Sequence, residues 1–156
     1  MIEISIPGRD VLRLKHLVLD YNGTLATDGS LITGVQKSLN SLADKLAIHV
    51  ITADTFEKAA ESLKAVNCQL TILSNGNQQQ QKADFVKKLG KQHTVAIGNG
   101  LNDALMLKEA ALGLAVIQEE GAAVKTVQSA DIAFNRITDA LGLLLNPMRL
   151  IATLRV

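Results

Sequence analysis

The stretch Asp20-Tyr21-Asn22-Gly23-Thr24 follows directly on the apolar run His16-Leu17-Val18-Leu19. A short, continuously apolar run reads as a buried strand. An acid at the end of such a strand, followed by a Gly-Thr turn, is a way to present a nucleophilic carboxylate to a phosphate group. Asp20 is therefore the candidate nucleophile. The backbone of Asn22 and Gly23 lies where it can wrap an anion, and Thr24 opens the next turn.

Outward from this stretch the chain alternates strand and helix. Ile2, Ile4 and Ile6 alternate with polar residues, Pro7-Gly8 turns the chain, and Val11–Leu14 follows, which predicts a short half-exposed hairpin over residues 1–14. The first core strand spans Lys15–Asp20, and a flap with a turn at Asp28-Gly29 comes after it. A helix runs from about Gly34 to Lys45, with Val35, Leu39 and Leu42 on one face. Strands are expected at Ala47–Ile51, Gln69–Leu73, Thr94–Ile97, Leu112–Ile117 and Asp131–Phe134. Helices are expected at Phe56–Val66, Gln79–Leu89, Asn102–Ala110 and Ala122–Gln128. Thr138 is read as the cap of a Leu-rich helix, which Pro147 interrupts before a final turn near Leu154. This order predicts an α/β fold, a doubly wound, Rossmann-like parallel sheet. One domain of 156 residues is expected, with its core over 15–145 and a C-terminal helical segment over 146–156.

Composition excludes several classes. Sixteen basic and 15 acidic residues give a net charge of +1, so nothing favours nucleic acid or an anionic membrane. The lysines at 82, 87, 88 and 91 are interleaved with Asp84 and read as a solvated helix face, with Lys82 the exception. Cys68 is the single cysteine, so no internal disulfide can form, and it reads as a small packed side chain. His49 lies within a strand and reads as packed rather than catalytic. The N-terminus does not fit a signal peptide, and no apolar stretch approaches the roughly 18 residues of a membrane span. A cytoplasmic protein is expected.

In open α/β sheets ligands bind at the carboxyl ends of the strands. Asp20, Thr52-Ala53-Asp54 and Gly98-Asn99-Gly100 all fall there. Thr52 has a hydroxyl to donate to a phosphate oxygen, and Lys82 can neutralise charge on a transferring group. Asp103, Asp20 and the amide oxygen of Asn99 offer hard oxygen ligands suited to Mg²⁺.

Taken together, Asp20–Leu25, Thr52-Ala53-Asp54, Lys82 and Gly98–Asp103 resemble the four motifs of the haloacid dehalogenase superfamily, nearest to the phosphorylation domain of P-type ion-pumping ATPases. The resemblance covers roughly Lys15 to Leu145, and Ala53 stands where the pumps usually have Gly. It implies an aspartyl nucleophile at Asp20 and a phosphate held by Asn22, Gly23, Thr52, Ala53 and Lys82. It also implies Mg²⁺ held by Asp20, the Asn22 carbonyl and Asn99, with Asp103 beside it as ligand or support.

The chain departs from the family at two acids. Asn99 stands where most relatives have Asp, which removes one negative charge from the metal site. Asn22 stands where phosphatases of the family carry the acid that protonates the leaving group, a function that contributes about 10²–10⁴-fold. Alkyl phosphate esters are therefore expected to be poor substrates. Two readings stand: a slow phosphatase-like hydrolase, and a catalytically silent phosphate-, metal- or protein-binding module. The 27 residues at 25–51 and the 29 at 53–81 are used up by the elements assigned, leaving no room for a cap domain. An open site is expected, serving a phosphorylated small molecule or macromolecule; by the resemblance, such a site either takes large substrates or borrows a neighbouring subunit of a homo-oligomer as a lid.

Overall fold

The structure is a computed structural model, and it describes residues 1–53 and 56–156. Asp54, part of the expected second motif, lies outside the described residues. Hairpin strands β1 (Ile2–Ile4) and β2 (Leu12–Leu14) pair antiparallel. Strand β3 (His16–Asp20) leads into the flap strands β4 (Ala26–Thr27) and β5 (Ser30–Leu31), then helix α1 (Val35–Ala43). Next come β6 (Ala47–Thr52), α2 (Phe56–Ser62), β7 (Gln69–Ile72) and α3 (Gln78–Leu89). The chain continues through β8 (Thr94–Gly98), α4 (Ala104–Glu109), β9 (Leu112–Val116) and α5 (Val124–Ser129). It finishes with β10 (Ile132–Phe134), α6 (Ile137–Leu145) and α7 (Pro147–Leu154).

Six of these strands form one parallel sheet in the order β10-β9-β8-β3-β6-β7. Side chains of a strand alternate between faces, and here each face meets its own core. Leu17 and Leu19 of β3 and Val95 and Ile97 of β8 join Val35, Leu39 and Leu42 of α1 and Leu141 of α6 on one face. Val18 and Ala96 join Val86 of α3 and Met106 and Leu107 of α4 on the other. The doubly wound α/β fold expected from the sequence is present, with the hairpin at the N-terminus. Buried strands β3, β6, β8 and β9 occupy the middle, while β7 and β10, more exposed, are the edges.

Three local expectations need correction. Thr138 does not cap α6: it lies in the first turn, and the Ile137 N–H instead donates to the side-chain oxygen of Gln118 at 2.8 Å. Pro147 does not leave a mere final turn but starts a helix of its own, because Pro is tolerated at the first helical position. The helix expected from Asn102 begins as a 3₁₀ turn, Leu101–Asp103, before α4, since the Asp103 carboxylate is drawn back onto the preceding backbone. Leu150 is buried and Ile151 and Leu154 pack on the core. His49 is packed too, its Nε2 lying 3.2 Å from Nδ1 of His16 and its ring edge-on to Phe85. No single helix among the described residues is long and apolar enough to cross a membrane.

Candidate active site

Strands β8, β3 and β6 are neighbours and parallel, so their carboxyl ends bring Gly98, Asp20 and Thr52 to one edge. Beyond that edge lies an open cavity of about 320 Å³. Its lining includes Asp20, Asn22, Thr52, Ala53, Lys82 and Asn99, so six of the eight candidate residues share one space. Gly23 and Asp103 stand directly behind it, touching the same groups.

The loop after Asp20 is a tight knot. The Tyr21 carbonyl accepts from the N–H groups of Thr24, Leu25 and Ala26, and the Gly23 N–H donates to the Ala26 carbonyl at 2.8 Å. Gly23 has φ 76°, and a Cβ there would fall 2.3 Å from Nδ2 of Asn99. Only glycine fits both the left-handed backbone and the close approach. The Tyr21 hydroxyl reaches the Gly29 carbonyl at 3.3 Å and fastens the flap to this loop.

Lys82 is the centre of charge. It projects from α3, 1% exposed, and its Nζ lies 2.6 Å from Oδ1 of Asp20 and 2.7 Å from Oδ1 of Asp103. An ammonium bound so tightly by two carboxylates stays protonated, and these partners outweigh its burial and raise its pKa. Asp20 is pushed up to about 7, chiefly by burial and then by the Asp103 charge, with Lys82 pulling the other way. The other lysines of the cluster are solvated, as the interleaved Asp84 suggests: Lys87 pairs loosely with Asp84 and Glu109.

Asp103 is wholly buried and both of its oxygens are engaged. Oδ1 meets Lys82, and Oδ2 accepts from the N–H groups of Asn99 and Gly100 at 3.0 and 2.9 Å. It holds the turn after β8 and the lysine in fixed relation to Asp20. Asn99 is nearly buried, with Nδ2 donating to the Gly121 carbonyl at 3.0 Å and Oδ1 3.2 Å from the Thr24 hydroxyl. Oδ2 of Asp20 lies 3.3 Å from that same hydroxyl. The Asp20 and Asn99 oxygens thus converge beside the cavity, a hard donor pair that fits Mg²⁺. Among the described residues no group of three or more His, Cys, Asp or Glu side chains is arranged around a metal position. The donor set fits the ion but carries little charge.

Two residues of the site were not found from the sequence. Gln118 donates from Nε2 to the carbonyls of Gly23 and Thr24 at 2.9 and 3.0 Å while its Oε1 caps α6. Glu120 lines the cavity. Both follow β9, whose carboxyl end lies at the same edge as that of β8, an adjacency set by the sheet order and not by any local signal. The Gln78–Gln81 run opens α3, and Gln81 ties its side chain to Ser74 by both backbone and hydroxyl.

No family model matches the chain. It is 48% identical over 84 residues to an uncharacterized protein of Methanocaldococcus jannaschii, covering 51% of this chain and 90% of that protein. It is 33% identical over 128 residues to phospholipid-transporting ATPase ID of Mus musculus, covering 74% of this chain but only 10% of the transporter. In structure it is similar to 3-deoxy-D-manno-octulosonate 8-phosphate phosphatase from Moraxella catarrhalis, a structure that holds magnesium and phosphate ions and the sugar acid KDO. That similarity has a TM-score of 0.71 at 18% identity, over 91% of this chain and 94% of the other.

Proposed function

From the fold that the chain shares with phosphatases of the haloacid dehalogenase superfamily, we propose that it is a Mg²⁺-dependent, phosphatase-like hydrolase working through an aspartyl phosphate on Asp20. The observation that carries this reading is the buried ammonium of Lys82 at 2.6 Å from the Asp20 carboxylate. A phosphate entering the cavity meets a nucleophile and a fixed positive charge at the same wall, and Thr52, at the end of the neighbouring strand β6, lines the same space.

In the first step a carboxylate oxygen of Asp20 attacks phosphorus and the bond to the leaving oxygen breaks. Lys82 offsets the charge on the phosphoryl oxygens, whereas the Gly23 N–H, expected from the sequence to bind phosphate, is already bonded to the Ala26 carbonyl. In the second step water attacks the acyl phosphate, releasing inorganic phosphate and restoring Asp20. Mg²⁺, when bound by Asp20, the Asn22 carbonyl and Asn99, would neutralise charge on the phosphoryl group. Asp103, with both oxygens occupied, supports Lys82 and Asn99 from behind. Asn22 cannot protonate a leaving group, so the first step favours leaving groups that need little protonation, the acyl and aryl phosphates.

Incubation with acetyl phosphate or an aryl phosphate and Mg²⁺ is expected to give hydroxylamine-sensitive phosphate on the wild type and none on Asp20→Asn. Absence of both phosphoenzyme and turnover would overturn the reading. The rival, a silent module of the same fold, draws on the two amides at Asn22 and Asn99. It predicts that beryllofluoride and Mg²⁺ fail to bind at millimolar concentration.

A further inference from the structure

Resting on the reading of this site as Mg²⁺-dependent, we infer that Glu120 supplies the metal charge that Asn99 lacks, as a ligand to Mg²⁺ directly or through one bound water. Three observations converge on it. Glu120 lines the cavity together with Asp20 and Asn99. A Cβ built on Gly23 would lie 2.7 Å from Oε2 of Glu120 and 2.3 Å from Nδ2 of Asn99, so the carboxylate and the amide crowd the same flank of the loop after Asp20. Glu120 forms no ion pair among the described residues, which leaves its charge free for a cation.

The backbone segment that carries Glu120 is also held in place. On one side of it Gln118 is bonded to the Gly23 and Thr24 carbonyls, and on the other the Gly121 carbonyl accepts from Asn99. The Ala123 N–H donates in turn to the Asn99 carbonyl at 2.9 Å. The segment that carries Glu120 is thus tied at both ends to the two loops that flank the metal position.

The electrostatics make the role specific. Lys82 cancels one of the two charges on Asp20 and Asp103, leaving a single net negative charge for a divalent ion. Glu120 doubles it. An amide at Asn99 gives Mg²⁺ an oxygen but no charge, and a carboxylate arriving from a different loop restores the deficit without rebuilding the turn after β8.

The test measures Mg²⁺ binding by calorimetry, and Mn²⁺ binding by electron paramagnetic resonance, on the full chain without phosphate. Glu120→Gln is expected to weaken both by about tenfold or more, and Glu119→Gln, its neighbour outside this cavity, by less than about twofold. Asn99→Asp in the Glu120→Gln background is expected to recover the loss. Metal-free melting temperatures of all variants show whether any of them fails to fold, and the rescue by Asn99→Asp reads the charge independently of that. Equal affinities of Glu120→Gln and wild type would overturn the inference, as would no metal binding by wild type at millimolar levels. If affinity depends on Glu120 yet no phosphate appears on Asp20, the inference stands and the phosphoryl-transfer reading falls. If Asp20 is phosphorylated and Glu120→Gln binds metal normally, the reverse holds.

Discussion

Gly98 ends β8 against the side chain of Asp103, and replacing it with alanine tests whether that contact holds the site together. A Cβ at Gly98 would lie 2.5 Å from Cγ, 2.5 Å from Oδ2 and 2.6 Å from Cβ of Asp103. Carbon atoms settle at about 3.5 Å or more, so Asp103 must retreat by about 1 Å. It cannot do so freely, because its oxygens are bonded to Lys82, Asn99 and Gly100 at 2.7, 3.0 and 2.9 Å. The backbone of Gly98 does not have positive φ, so the effect is one of contact and not of backbone strain. Overpacking alone costs about 1–3 kcal/mol, and stretching the charged bond to Lys82 adds about 1 kcal/mol or more. A total near 2–4 kcal/mol is expected for Gly98→Ala. In urea denaturation, with a slope of about 2 kcal/mol per molar, the midpoint falls by roughly 1–2 M. Phosphate incorporation on Asp20 falls with it, because Lys82 loses its second anchor. A loss below about 0.5 kcal/mol, with incorporation unchanged, would show that Asp103 is not locked and that the alignment described here is wrong.

Two further outcomes follow from the same geometry. The Asp20 carboxyl, raised to about 7 from its ordinary 3.8, is protonated more readily in the native state than in the unfolded chain. Metal-free stability therefore falls as pH rises through that window, by up to about 1.4 kcal/mol per pH unit. Asp20→Asn is expected to flatten the slope, and denaturation curves of equal slope for the two proteins would refute the assignment. Gln118→Leu removes two donors from the Gly23 and Thr24 carbonyls and the acceptor of the Ile137 N–H. It is expected to cost about 2–3 kcal/mol and to slow phosphoenzyme formation, and a loss under about 0.5 kcal/mol would mean that water replaces all three bonds.

The parts of the site that are local in the chain were readable from it. A buried strand ending in an acid declares Asp20, and two glycines bracketing Asn99 declare the turn after β8. Lys82 stood out because it shares a helix face with Val86, and that face is buried. What escaped was written in strand order. Nothing within residues 117–121 says that β9 lies beside β8, and only that adjacency carries Gln118 and Glu120 to Asp20. The cap of α6 escapes the sequence for the same reason. A threonine near a helix start is a local signal, whereas the actual acceptor for Ile137 comes from 19 residues away. The roles of the two oxygens of Asp103 were equally out of reach, since they depend on distances between α3 and the turn.

The sheet order also decides when the site can exist. Leu17 of the nucleophile strand pairs with Ile48 on one side and with Val95 on the other. The first partner is close in sequence and the second is half a chain away, so the loop-closure cost of the second falls late in folding. Until β8 arrives, the edge of β3 is unpaired, a template for pairing with another chain. Lys82 and Asp20 then lack the buried carboxylate that fixes them, and the loop after β9 has nothing to clasp. A chain halted before residue 98 would hold its nucleophile on an open sheet edge, without the turn that aligns it. Competence at this site and completion of the central sheet are a single event.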